Sequence, residues 1–155
     1  MANKKLTLKN FEFQQLNIEL DIFTTNPEVD MLIRHYIKKI KGIIKPTIEG
    51  LQETRNELIK KYADVEGGET ISPTIKETIT KEDGTTEEVD KPNEKMDLFI
   101  KELEEVNKIE ETVSIVPIPA SKLEKYNLNS YQEVFQEAFK QFGILGFTLI
   151  YEIFE

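Results

Sequence analysis

The sequence contains no cysteine, no tryptophan and only one histidine. Without a thiol, disulfide staples, zinc–thiolate sites and cysteine nucleophiles are excluded. The one histidine, His35, has no second imidazole to join it in a metal cluster or an acid–base pair. It falls inside a helical pattern next to a core-facing Tyr36, which is a surface or boundary position. No apolar run approaches the roughly 18 residues of a membrane span. The most apolar stretch, Ile144 to Phe154, is too short and carries Glu152. The lysine-rich start, Met1 to Lys9, has no apolar region behind it and does not read as a secretory signal. Neither a GxxxxGK[ST] phosphate loop nor a GxGxxG fingerprint occurs, and there is no GxSxG elbow. The expectation is a chain that acts in the cytoplasm of the cell that makes it. No residue stands out as catalytic, cofactor-binding or metal-ligating.

What is there is charge of one sign. The 155 residues carry a net charge of −9, with 29 acidic against 20 basic side chains. Such a field repels phosphate backbones, so direct nucleic-acid binding is not expected. It remains compatible with a basic protein surface as partner, or with imitation of nucleic acid by rows of carboxylates. Nine Phe and five Tyr supply large side chains for a core. The length suits a single domain, 1–155.

Periodicity gives the elements. Lys4 to Lys9 alternate, which predicts a short strand with Leu6 and Leu8 on one face. Asn10 is placed to cap a helix whose stripe is Phe13, Leu16, Leu20 and Phe23. Asn26 and Pro27 are expected to start the next helix, from Glu28 to Ala63. Its seam runs Ile33, Ile37, Ile40, Ile44, Ile48, Leu51, Leu58 and Tyr62, and it would be about 50 Å long at 1.5 Å per residue. Pro46 inside it predicts a kink near Lys41 to Lys45, or two consecutive helices. After Gly67-Gly68 the composition turns to Thr, Glu and Lys, and Asp83-Gly84 signals a hairpin across 69–91. A three-residue loop, Asp83 to Thr85, would set Ile79 opposite Val89. With so few apolar residues this hairpin is expected to be a protruding, mobile arm.

A third helix opens at Pro92-Asn93, with Met96, Phe99, Ile100, Leu103 and Val106 facing inward. It leads into a strand over Thr112 to Pro117. Ser130 and Glu133 suggest a capping box for a helix to Phe142, with Val134, Phe135, Ala138, Phe139 and Phe142 buried and Gly143 as C-cap. The final FTLIYEIF reads as a third strand. Strands scattered among helices define an α+β fold, predominantly helical, with a small antiparallel or mixed sheet, a long kinked helix and the hairpin arm.

The carboxylates Glu102, Glu104, Glu105, Glu110 and Glu111 line the third helix and its exit as a solvated face. The run Asp64 to Glu69 lacks the ligand spacing of a calcium loop. Two features favour binding to another macromolecule. The long seam is either covered by the first and third helices or left in part to pair with another copy or a partner helix. The last segment is apolar on both faces, with Phe147, Leu149, Tyr151 and Ile153 on one and Ile150 and Phe154 on the other, so it is either central in a sheet or stacked in an interface. The only basic group that could hold a small signalling nucleotide is Arg34, Lys38 and Lys41 on one helix face.

The segments LTLKNFEF, RNELIKKYADVEGGE and DLFIKELEEVNKIEETVSI, in this order, resemble a family of small proteins of unknown function. That family is encoded by phages and prophages of Gram-positive bacteria. The likeness spans about two-thirds of the chain, through helix-end patterns rather than catalytic signatures. The arm from Thr70 to Asp90 and the tail from Ala120 to Glu155 are longer and more elaborate than that pattern. The resemblance implies a viral origin, action in the infected cell's cytoplasm or in the virion, and no active-site residues. The expectation is a non-enzymatic phage accessory protein that binds a host or viral macromolecule, with a host defence system as one target. The alternative is a virion or assembly component, a connector or assembly chaperone, acting as a homo-oligomer. An enzyme with an unfamiliar carboxylate site is the third possibility.

Overall fold

The computed structural model describes residues 2–155, and it is an α+β protein. The chain divides into two compact units, one built from the segments up to Gly50 and from Lys108 onward, the other from Leu51 to Asn107.

In the first unit, β1 (Lys4–Lys9) pairs antiparallel with β4 (Glu110–Ile115), setting Leu6 opposite Val113. Leu6 and Leu8 are buried and Lys5 and Thr7 face water, as the alternation predicts. The helix α1 (Asn10–Thr24) follows without a loop. Asn10 is its first helical residue rather than its cap, because its backbone N–H continues the pairing by donating to Ile109 O at 2.9 Å. The start is closed by Glu12, whose carboxylate accepts the Lys9 N–H at 3.0 Å. Phe13, Leu16, Leu20 and Phe23 are buried as expected.

The long helix α2 (Met31–Tyr62) starts four residues later than the Asn26–Pro27 signal suggests. Asn26 spends its side chain on a local turn, accepting the Glu28 N–H at 3.0 Å. Asp30 caps the helix instead, accepting the Ile33 N–H at 3.0 Å. The Tyr126 hydroxyl fixes that cap by accepting the Asp30 backbone N–H at 3.0 Å, a contact no local pattern encodes. The helix is a single element through Pro46 rather than two. Pro46 and Gly42, whose carbonyl the proline leaves without a helical donor, are both exposed, so water can solvate that carbonyl.

The rest of the first unit corrects the C-terminal expectation twice. The helix expected to run to Phe142 is two short ones, α5 (Leu128–Val134) and α6 (Gln136–Gln141), after a turn of helix α4 (Ala120–Leu123). Asn127, not Ser130, is the cap of α5, accepting the Ser130 N–H at 3.2 Å. The break at Phe135 shifts the phase of the stripe. Phe139 is buried and Phe135 and Ala138 are half-buried, but Val134 and Phe142 are exposed. Gly143 does end the helix in the left-handed region, at φ +70°.

The last segment is not a strand. Leu149–Ile153 form a 3-10 helix, and only Phe154 makes a single parallel bridge, to Ile118. The buried residues Phe147, Ile150 and Ile153 recur every third position, the period of a 3-10 helix and not of a strand. An edge-to-face aromatic cluster packs this tail, with Phe139 and Phe147 4.8 Å apart and Phe23 5.6 Å from Tyr126.

The second unit holds the end of α2, the hairpin β2 (Thr74–Thr80) and β3 (Thr86–Pro92), and α3 (Glu94–Asn107). The hairpin forms where expected and faces solvent, with only Val89 half-buried. Its register differs from the expected one. Ile79 lies opposite Glu87, and Val89 opposite Glu77. The three-residue loop is Glu82 to Gly84, closed by Lys81 N–H to Thr85 O at 2.8 Å, rather than Asp83 to Thr85. A loop of this length ends on a left-handed residue, and Gly84, at φ +82°, is the residue that adopts it cheaply. Ile75, Ile79 and Val89 still share one face of the ribbon.

Candidate functional site

Burial differs sharply between the units. Every residue of the buried hydrophobic cluster, from Leu6 to Phe154, belongs to the first unit. In the second unit Leu51, Ala63 and Asn93 are buried, and α3 buries no residue at all. Met96, Phe99, Leu103 and Val106, expected to face inward, are only half-buried, and Ile100 is 45% exposed.

Polar bonds hold the second unit where a core is thin. Asp64 accepts the Ser72 backbone N–H at 3.0 Å and its hydroxyl at 2.5 Å, while its own N–H donates to Thr70 O at 2.9 Å. Asn93 then ties the hairpin base to α3. Its side-chain amide donates to Ser72 O at 2.7 Å, and its carbonyl oxygen accepts the Lys95 N–H at 3.1 Å. Beside it lies an open recess of about 510 Å³ lined by Ile75, Lys91, Pro92, Asn93, Glu94 and Lys95. Lys61 donates to Glu102 at 2.9 Å and stands 5.0 Å from the centre of the Tyr62 ring. That hydrogen bond raises the Lys61 pKa and lowers that of Glu102.

The Ser72 hydroxyl and N–H hold the Asp64 carboxyl below the usual aspartate range. A folded-state pKa below the unfolded value of about 3.9 means that the carboxylate contributes stability above that pH. The contribution is lost as pH falls through the folded pKa. Asp64→Asn is therefore expected to lower the melting temperature at neutral pH, with the gap to wild type closing as pH falls through the lowered folded-state pKa. Thermal melts between acid and neutral pH check this, and a gap that stays constant would contradict it.

The charge is as unevenly divided as the burial. From Leu51 to Asn107 there are sixteen acidic and eight basic residues, so this unit carries −8 of the net −9. The first unit, with thirteen acidic against twelve basic residues, is almost neutral. The carboxylates read from sequence as a solvated face separate accordingly. Glu102, Glu104 and Glu105 fall in the acidic unit, while Glu110 and Glu111 lie in β4 of the other. Glu111 accepts the Thr47 hydroxyl at 3.2 Å. Among the described residues no three His, Cys, Asp or Glu side chains are grouped as metal ligands.

The basic trio on α2 does not assemble into an anion site. Arg34 turns back on the chain and donates to Thr24 O at 2.8 Å, Asn26 O at 2.6 Å and Val29 O at 2.9 Å. Lys41 pairs with Asp21, and Lys38 is left in solvent, as is His35. The residue that sequence analysis missed is Glu19, which is fully buried. Its carboxylate accepts the backbone N–H of Thr148 at 2.6 Å and those of Leu149 and Ile150 at 3.2 Å each. Gln15 adds a side-chain bond at 3.1 Å. An acid three residues after Leu16, directly before Leu20 on the buried stripe, was the signal available.

No helix among the described residues is long and apolar enough to cross a membrane. No protein-family model, curated protein or solved structure matches the chain.

Proposed function

We propose that this chain is a non-enzymatic accessory protein, of phage or prophage origin, that binds a basic host or viral protein through its acidic unit, Leu51–Asn107. The concentration of −8 of the net −9 charge in that one unit carries the reading. A field of one sign on a unit with little buried core attracts a positively charged surface and rejects phosphate. Proteins that themselves bind nucleic acid present such surfaces, and host defence proteins that act on nucleic acid are the class of target that a viral origin favours. The infected cell's cytoplasm is the compartment in which that encounter would occur.

The test is retention from lysates of infected and uninfected cells on the immobilised full chain. A basic protein should be held at low salt and released as salt rises to about 0.5 M, because exposed charge pairs are screened over a few ångströms there. A variant with Glu87, Glu88, Asp90, Glu104 and Glu105 changed to lysine should retain nothing specific. Retention that is equal for both proteins and indifferent to salt would overturn the reading.

A homo-oligomeric virion or assembly component is the second reading, favoured by apolar exposure on the near-neutral first unit. Leu145 is 97% exposed and Val134 74%, in a unit whose charge offers little self-repulsion. Light scattering on the purified chain separates the two, since this reading requires a stable oligomer that persists at high salt.

A further inference from the structure

We infer that the apolar face of α3 is the docking surface for a basic amphipathic helix, a partner segment with an apolar stripe flanked by lysine or arginine. This rests on the proposed binding function and assigns it a place and a ligand chemistry. The face is defined by helical spacing: Met96, Phe99, Ile100 and Leu103 recur at intervals of three and four along one side of α3. In a helix that had found its cover these positions would be fully buried. Here Met96, Phe99 and Leu103 are only half-buried, and Ile100 is 45% exposed. An apolar stripe left half in water on a fourteen-residue helix is an incomplete packing arrangement.

Charge selects the occupant. The polar positions of α3 carry Glu94, Asp97, Glu102, Glu104 and Glu105 against Lys95 and Lys101. Among the described residues, Glu102 is the one acid of α3 with a cation within ion-pair distance, Lys61. Asp97 and Glu104 follow Ile100 around the helix, so the exposed edge of the stripe is bordered by carboxylates without counterions. A second copy of this chain would bring another unit of net −8 against the first, and like charge disfavours it. An apolar helix without charge would leave those carboxylates beside a low-dielectric surface with nothing opposite them. A helix with basic flanks meets both demands, its apolar side covering Phe99, Ile100 and Leu103 and its cations reaching Asp97 and Glu104.

The experiment titrates the full-length protein with a synthetic leucine–lysine amphipathic peptide of about five helical turns, followed by calorimetry and by the peptide's circular dichroism. Binding with a rise in peptide helicity is expected. Ile100→Glu should weaken it about ten-fold or more. Leu98→Glu, on the opposite side of α3 and 49% exposed, should change it less than two-fold or so. Both sites are exposed, and circular dichroism of each variant confirms its fold. A scrambled peptide of the same composition, with no apolar stripe, should bind at least about ten-fold more weakly. Equal binding of the scrambled peptide would overturn this inference and leave the charge-based function standing. Equal loss from the Ile100 and Leu98 variants would also overturn it, as would failure to bind the amphipathic peptide. If basic proteins are also not retained from lysate, the function itself falls.

Discussion

Glu19→Ala is expected to destabilise the first unit by about 3–5 kcal/mol, the largest effect of any single polar substitution in this protein. The physical cause is the set of donors left behind. Glu19 is fully buried in α1 and its carboxylate satisfies the N–H groups of Thr148, Leu149 and Ile150. These amides open the 3-10 helix and have no intrahelical acceptor of their own. Alanine removes the acceptor without admitting water, so each amide loses a charge-assisted bond and a small cavity remains. Phe147 and Ile150 should then loosen from the aromatic cluster. Glu19→Gln keeps the volume and one accepting oxygen, and an intermediate loss is expected. Urea unfolding followed by tyrosine fluorescence gives the free energies. Hydrogen exchange at Thr148 to Ile150 shows whether the damage begins there. A cost for the alanine variant of about 1 kcal/mol or less would falsify this account of Glu19, because one exposed hydrogen bond is worth that much.

Arg34→Ala is expected to cost about 2–4 kcal/mol, and Arg34→Lys to recover only part of it. The guanidinium reaches three backbone carbonyls, those of Thr24, Asn26 and Val29, with three different nitrogens. Thr24 is the last residue of α1, so the positive charge also sits at the negative end of a helix. Lysine carries the charge but not the planar fork, and it cannot span the three acceptors together. An arginine poised for an anionic ligand predicts the opposite result. Its removal would leave stability unchanged, or raise it by relieving unpaired charge. Thermal melts of the two variants at fixed salt therefore decide whether Arg34 holds the α1–α2 connection or waits for a ligand.

Much of the fold can be read from spacing alone. The strand with Leu6 and Leu8 inside, the stripe of α1 and the seam from Ile33 to Ile44 are all buried as their periods require. Local rules succeed there because each residue's neighbours along the chain already determine which face turns inward. The hairpin at Asp83-Gly84 is legible for the same reason. Its register, shifted by one loop residue, depends on which position takes the left-handed conformation. The candidate site was half legible. The acidic excess between Leu51 and Asn107 is a matter of counting, but its significance depends on that segment's forming a compact unit, one that holds none of the core cluster. The apolar stripe of α3 can be read from its spacing, but its burial cannot: no pattern within α3 states whether a neighbour covers it, and none of its residues is buried.

The sequence by itself determined the composition of each face, the absence of thiol chemistry, the acidic field and the helix–strand alternation through residue 115. Only the tertiary structure decided the rest. The FTLIYEIF tail has the β-branched and aromatic residues of a strand, yet it winds into a 3-10 helix because a buried glutamate far away in sequence supplies the acceptor for its first amides. The start of α2 moved from Asn26 to Asp30 under the hold of Tyr126, which lies 96 residues further on. Arg34 left the set of free cations because three carbonyls of a preceding turn came within its reach. In each case a backbone group needed a partner that its own segment could not provide. Satisfying it required a residue brought close by folding, which is information that no window along the chain contains.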